Sequence, residues 1–508
     1  MKIQSIKIKD SKTILNSFEW SSDKPINIFI GENGSGKSTL LRHLVDVFKN
    51  AYEFYVEGNK NTTTPDFDFE IKYEIIINNT VDFLVFETNY VIVELTGKKK
   101  RKEYWDLSIN NNEIDSNALT ERYGYESLLP NNLIAYYAGW DSSVKNKFLE
   151  VEKRYIENAL GNYKGFKSSK NLDTPFSTIA KLPLIYIDKI HFSILLSVLF
   201  SYEYNTRVES YLLNKFEIVK EEKTVVVLNV DKPAEDFFSN SKEDFWGAKG
   251  EMRNFLVNLR DFCSNREDIN DEHGGLVFIF DFEDWIRFKE YYATESRLYS
   301  YLHILNSSGF LTSIQVFFNK NGKPMSNFNL SEGEQQQLTV FALKEILIET
   351  NSLILLDEPE TFLHPRWQQK FINELAENIN YNRNVDFPYH NEPNFFITTH
   401  SLNLLNNADS DVSSLTMLEN GKVSQKVKDF YGKTIRSINY DLMGLEERPK
   451  DIKLIINNLY DLVENEEMQK AENELGLLID IVGENDEDVV RLKAEIDFLK
   501  SLTNDTDQ

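Results

Sequence analysis

The sequence predicts an α/β fold of two lobes, with a compact helix-rich insertion between them and a helical module at the end. Three observations predict it. The apolar strand Pro25–Ile30 runs into a glycine-rich loop, Gly31-Glu32-Asn33-Gly34-Ser35-Gly36-Lys37-Ser38, and then into a helical pattern from Thr39 to Phe48. Strand, loop and helix in that order are the setting of the G-x-x-x-x-G-K-[ST] phosphate-binding pattern. Far downstream, Leu330-Ser331-Glu332-Gly333-Glu334 precedes a second apolar strand, Leu353–Leu356, which ends in Asp357-Glu358-Pro359-Glu360. A third strand, Phe395–Thr399, ends in His400-Ser401. In α/β sheets, ligands bind beyond the carboxyl ends of the strands.

Taken in order, residues 1–140 form the first lobe. Ile3, Ile6 and Ile8 alternate with polar residues as in a half-buried strand. After the glycine loop and its helix come Phe69–Ile77, an Asn78-Asn79 turn, Val81–Glu87, Tyr90–Leu95 and Tyr104–Ile109. Period-2 alternation with short polar turns predicts an antiparallel meander. Leu133–Tyr137 is a last strand before the insertion. Residues 141–305 read as a mixed, mostly helical insertion. Its helix-like stretches are Val144–Asn158, Phe192–Phe216 and Lys249–Phe262, and its strand-like ones are Thr224–Val230 and Leu276–Phe282. No heptad pattern persists, so long coiled-coil arms are not expected. Residues 306–436 form the second lobe, from the strand Phe310–Phe318 to Phe395–Thr399. From residue 437, Leu454, Ile455, Leu459 and Leu462 fall at helical spacing, as do Leu475, Leu478 and Ile481, and Val490, Leu492, Ile496 and Leu499. Three short amphipathic helices follow from that spacing.

Composition bounds the partners. The chain has 508 residues, a net charge of −25 and 41% hydrophobic residues, enough to bury a large core. An acidic surface repels phosphate backbones, so nonspecific coating of nucleic acid is excluded. The charge is uneven: Asp441 to Gln508 holds 19 acids against 7 bases. Cys263 is the only cysteine, which rules out an internal disulfide and fits a reducing cytosol. Met1–Ile6 starts in a strand pattern rather than a leader, and Leu195–Phe200 is far shorter than the ~20 residues that span a bilayer. A cytoplasmic protein without a membrane span is expected.

The site chemistry follows from residue type and place. Backbone N–H groups of Asn33, Gly34, Ser35, Gly36, Lys37, Ser38 and Thr39 can cradle phosphates at a helix N-terminus. Lys37 is expected to neutralise the β- and γ-phosphates of ATP, and Ser38 to ligate Mg2+ through its hydroxyl. Asp357 ends a strand at the sheet edge and is expected to hold the same Mg2+; Glu358 is the candidate general base for the attacking water. An Asp-Glu pair alone could equally cap a strand in solvent. His400 is a candidate for contacting the γ-phosphate. Lys98-Lys99-Lys100-Arg101-Lys102 is either a solvated hairpin tip or a nucleic-acid or partner contact.

These motifs in this order resemble the head of an ABC-type ATPase. Gly31–Ser38, Leu330–Leu338, Leu353–His364 and Thr398–Leu402 are similar to the SMC-like and overcoming-lysogenization-type ABC ATPases of bacterial defence, and Phe362-Leu363-His364-Pro365 is typical of that branch. The resemblance covers both lobes and leaves the insertion unassigned. It implies a homodimer, or a higher oligomer, closed around ATP, in which Ser331, Gly333 and Glu334 of one copy bind the nucleotide of the other in trans. It also implies a glutamine loop, which the sequence does not reveal. Tyr440–Pro449, Gly483-Glu484-Asn485-Asp486 and Val490–Leu499 resemble the C-terminus of the PtuA family of Septu-type anti-phage ATPases. In that family the ATPase stands beside an HNH nuclease, and some members beside a retron reverse transcriptase and its nucleic acid. The implied function is an ATPase that regulates a nuclease partner. Rival readings are a DNA-repair-type ATPase acting directly on DNA, an ATP-binding scaffold with little turnover, and a transporter head, against which Phe362–Pro365 argues.

Overall fold

The structure, a computed structural model, describes residues 1–59, 61–81, 85–100, 106–109, 112–113, 124–137, 142–159, 182–202, 206–219, 224–233, 241–268, 275–381, 393–405, 407–427, 430–433, 437, 448–465 and 467–505. It divides into two units, Met1–Lys433 and Thr434–Gln508.

A seven-stranded mixed sheet organises the first unit. Its order is Lys422–Val427, Ser413–Glu419, Ile26–Ile30, Asn394–Thr399, Leu353–Asp357, Leu133–Tyr137 and Leu184–Ile187. All neighbours are parallel except the edge pair Ser413–Glu419 and Lys422–Val427. Ile26–Ile30 and Asn394–Thr399 are buried at every position. Both faces are covered, which is why these strands are near-continuous apolar runs.

Two antiparallel sheets are interleaved with it in sequence. One runs Ser17–Ser21, Lys2–Lys9, Asp68–Val81, Val85–Gly97, Asp106–Ile109, Asn112–Glu113. This is the expected meander with one difference. Asn78 and Asn79 do not turn; they lie inside Asp68–Val81, opposite Thr88 and Glu87. Cross-strand pairing outweighs asparagine's weak strand preference there. The start of the expected Tyr104 strand lies outside the described residues. The second antiparallel sheet joins Leu311–Lys320 to Val225–Val230 and Leu276–Asp281, so the strand expected in the second lobe pairs with strands from the segment before it. The stretch Phe192–Phe216 forms two helices, Lys189–Leu199 and Thr206–Phe216, rather than one. The Ser201 hydroxyl bonds the Val198 carbonyl at the break, 2.6 Å away, a local competition that ends helices. Two buried asparagines tie the meander to the mixed sheet: Asn351 exchanges two hydrogen bonds with the backbone of Ile76, and Asn394 bridges the Ile3 N–H and the Pro25 carbonyl.

A buried polar chain crosses three helices of this unit. His191 in Lys189–Leu199 lies 2.6 Å from Asp188 and 2.8 Å from His303, and His303, in Glu295–Ser307, lies 3.1 Å from Glu152, in Ser142–Ala159. His191, His303 and Glu152 are all buried. Burial pushes the Glu152 carboxyl up, but His303, with His191 and the Ser307 hydroxyl, outweighs it and the carboxyl stays below its ordinary value. His303→Ala strands that carboxylate in the core. Removing one partner of a buried pair costs about 3–5 kcal/mol. A clear fall in the midpoint of thermal unfolding is therefore expected; a variant that melts with the parent would contradict it.

The second unit is a three-helix module, Lys450–Glu464, Met468–Val482 and Glu487–Asp505. Isolated helices this short are marginal in water. They are held by a core of their own: Ile452, Ile456, Leu459 and Val463 pack with Ala471, Leu475, Leu478, Val489, Leu492 and Ile496. Arg448 ties the ends by pairing with Asp486 and Asp488, each at 2.7 Å. The expected stripes are partly displaced, because the helices carry more apolar residues than three of them can bury. Leu454 (68% exposed), Leu477 (61%), Ile481 (57%), Val490 (54%) and Phe498 (62%) face outward. The Tyr440–Glu447 part of the tail motif lies outside the described residues.

Candidate nucleotide site

The parallel register brings four segments to one edge of the mixed sheet. Thr399 lies beside Ile30, and Asp357 beside both Thr398 and Tyr137. The glycine loop, the Asp357-Glu358 turn and the His400 turn therefore leave the sheet side by side, at the strands' carboxyl ends.

The loop's shape requires its glycines. Gly31 adopts φ 152°, and a Cβ there would meet the Leu418 carbonyl at 2.2 Å. Gly36, at φ 108°, is the N-cap of the helix Lys37–Tyr55. No side chain caps this helix, and no acid lies in its first turn. Its first N–H groups are thus not taken by a protein carboxylate, the arrangement that suits an anion. Ser35 is buried, its hydroxyl without a protein partner among the described residues. Lys37 is 4% exposed, and its ammonium donates to the carbonyls of Gly31 at 2.8 Å and Glu32 at 3.0 Å. Burial lowers its pKa, with Glu358 and Asp357 opposing.

Ser38 and Asp357 meet as expected of a shared ligand set: the Ser38 hydroxyl lies 3.0 Å from Asp357 Oδ1. The Thr398 hydroxyl donates to the same oxygen. Burial raises the Asp357 pKa against these two hydrogen bonds. One carboxylate and one hydroxyl fit Mg2+, which keeps several waters and takes its remaining oxygens from phosphates. Among the described residues, no group of three or more His, Cys, Asp or Glu side chains could hold a metal ion by itself.

Glu358 and His400 also meet. His400 Nε2 lies 3.0 Å from Glu358 Oε1. Burial, and then Lys37, lower the His400 pKa. A neutral ring can donate through Nε2–H to Glu358 and leave the second carboxylate oxygen to water. Glu358 sits at φ 50°, in the left-handed region. Such a conformation in a non-glycine residue persists only where its surroundings hold it, and it clusters at functional sites.

The residues that hold this turn were not singled out from the sequence. Glu360 is 4% exposed and accepts a hydrogen bond from the Thr399 hydroxyl. Burial pushes its carboxyl up to about 7. Gln336, from the helix Glu332–Ile346, donates to the Pro359 carbonyl and accepts from Phe362 N–H at 3.1 Å. Gln368, from Pro365–Tyr381, donates to the carbonyls of Glu360 and Leu363 and accepts from Ser401 and Asn403. Signals existed: a second acid after Pro359, and three glutamines after Glu334.

The elements expected to act in trans lie together at one helix N-terminus. Ser331 caps Glu332–Ile346 in a reciprocal capping box with Glu334. The Ser331 hydroxyl donates to Glu334 at 2.9 Å, and Lys320 pairs with the same carboxylate. Glu334 is thus engaged within its own chain. A Cβ on Gly333 would meet the Phe362 carbonyl at 2.8 Å, so the helix start and the Asp357–His364 turn are in close contact. Elsewhere, Lys99 and Lys100 of the expected basic tip pair with Asp66, as does Lys12, while Arg101 and Lys102 lie outside the described residues. Among the described residues, no helix is long and apolar enough to cross a membrane.

Comparison with known proteins finds relatives named as probable ATPases. A family model described as "AAA domain, putative AbiEii toxin, Type IV TA system" matches residues 224–406, taking in Ser331, Asp357, Glu358 and His400 but not the glycine loop. The chain is 23% identical over 438 residues to "Retron Vc95 probable ATPase" of Vibrio cholerae serotype O1 biovar El Tor, covering 81% of this chain and 72% of that one. It is 26% identical over 225 residues to "Retron Ec83 probable ATPase" of Escherichia coli, covering 41% of this chain and only 39% of the relative. Among solved structures, the SMC head domain from Thermotoga maritima aligns over 84% of this chain and 99% of its own, at 13% identity and a TM-score of 0.31. The recombination mediator RecF with ATP aligns over 84% and 97%, at 16% identity and the same TM-score.

Proposed function

We propose that this chain is an ATPase of the SMC-like ABC type that closes as a dimer around ATP and thereby controls a nuclease partner in a cytoplasmic anti-phage complex. The observation that carries the ATPase reading is the meeting of Lys37, Ser38, Asp357, Glu358 and His400 at one sheet edge beside an uncapped helix N-terminus. The retron relatives support a place beside a reverse transcriptase and its nucleic acid. The outward apolar residues of an acidic module support a docking role for that module.

Each residue has a defined task. The N–H groups from Asn33 to Thr39 and the Lys37 ammonium bind the phosphates. Ser38 and Asp357 would hold Mg2+, which would supply charge neutralisation to the bound phosphates. His400 donates to Glu358 and fixes its carboxylate. Glu358 orients the attacking water and accepts its proton, which needs hydrogen-bond reach and an ionised carboxylate. Ser331 and Gly333 of the second copy close over the γ-phosphate from the opposite side.

The partner is expected to be a basic HNH-type nuclease. Acidic residues around exposed apolar side chains favour a basic partner, because complementary charge speeds and orients encounter. Deleting residues 437–508 should leave ATP binding intact and abolish co-purification of the nuclease. A truncated chain that still retains the nuclease would contradict the docking role.

A further inference from the structure

The geometry points to Glu360 as a positioning residue that holds the hydrolytic pair Glu358–His400 in register. This rests on the ATPase reading above and extends it to a residue that touches neither phosphate nor water.

The observations converge on one turn. Pro359 separates two glutamates, one of which meets His400 and the other Thr399 beside it. Glu358 meets the ring of His400, at 3.0 Å. Glu360 meets the residue before it: its Oε1 accepts from the Thr399 hydroxyl, while its Oε2 is buried with no hydrogen-bond partner among the described residues. Ser401 N–H in turn donates to Thr399 Oγ1 at 2.8 Å, so the Glu360 contact anchors the whole His400 turn. On its own side, Glu360 lies inside the turn that starts with Glu358 at φ 50°. That turn is closed by Thr361, whose hydroxyl donates to the Glu358 carbonyl at 2.8 Å, and by Leu363 N–H on the Glu360 carbonyl at 2.9 Å.

Burial makes the contact consequential. Glu360 and Thr399 are both buried, at 4% and 0% exposure, so no water replaces a lost partner at little cost. A carboxyl is costly to bury without partners, and this one is buried where Glu358 and His400 are each more than a third exposed. Its task is therefore between strands: it locks the turn after Leu353–Asp357 to the turn after Asn394–Thr399. The base and its histidine sit on those two turns. Unlocking them changes the aim of Glu358 without removing any group that binds phosphate.

The test is steady-state ATP hydrolysis by the full chain, with ATP affinity measured separately. Glu360→Ala should lower kcat about ten- to a hundredfold, the loss expected of a catalytic group displaced by ~1 Å. KM should stay within about twofold. Glu360→Gln should recover most of that loss, since its carbonyl oxygen can still accept from the Thr399 hydroxyl. Thr399→Val, which removes only the hydroxyl, should reproduce the fall in kcat, and it decides the matter if Glu360→Ala does not fold. Unchanged kcat in Glu360→Ala or Thr399→Val, or equal loss of ATP affinity and turnover, overturns the proposal while leaving the ATPase reading intact. A parent chain that does not hydrolyse ATP overturns both.

Discussion

Glu358→Gln is expected to bind Mg-ATP like the parent and to hydrolyse it at least about a hundredfold more slowly. General-base catalysis contributes roughly 10²–10⁴-fold, and an amide cannot accept the water's proton. Glutamine keeps the size of the side chain and can still accept from His400 Nε2, now 3.0 Å from Glu358 Oε1, so the turn should not collapse. Binding without turnover should trap the ATP-bound state. Size-exclusion chromatography with Mg-ATP should show a larger, persistent assembly, and the parent should return to its starting size as ATP is consumed. Parental turnover in this variant would remove Glu358 from the role of base.

Lys37→Ala is expected to lose ATP binding itself. The ammonium supplies a charge and a hydrogen-bond donor to the phosphates at a position only 4% exposed, where a hydrogen bond to a charged group is worth about 1.5–3 kcal/mol. A weakening of about a hundredfold or more follows, read as loss of fluorescent-nucleotide binding. The loss has a second source. The carbonyls of Gly31 and Glu32 now accept from Lys37, and without it the loop loses the contacts that hold its curve. Near-parental affinity would show that the loop does not bind the phosphates.

What could be read from the sequence was local. Ile26–Ile30 and Leu353–Leu356 were legible because strands buried on both faces are continuous apolar runs. The glycine loop was legible because its left-handed positions demand glycine. Asn78 and Asn79 misled because their strand depends on partners at Glu87 and Thr88, which propensity does not see. Ile481 and Val490 misled because helical spacing marks a stripe but not which side of it the neighbouring helices cover. Glu360, Gln336 and Gln368 were invisible for a deeper reason. Their partners at Thr399, Phe362 and Ser401 arrive only when separate segments meet at the sheet edge. Ser38 with Asp357, and Glu358 with His400, join segments just as distant, but each sits in a motif that announces its chemistry.

The central claim is that two copies complete each other's sites, and complementation tests it most directly. Ser331→Arg should bind ATP as a single head yet fail to hydrolyse it, because the bulk at the helix start of Glu332–Ile346 blocks closure. Lys37→Ala should fail for want of nucleotide. Equal mixing of the two inactive chains should restore at most one competent site per mixed dimer, the one that joins an intact glycine loop to an intact Ser331. Ser331→Arg hydrolysing ATP alone at the parental rate, as a monomer and independently of its concentration, would contradict the account.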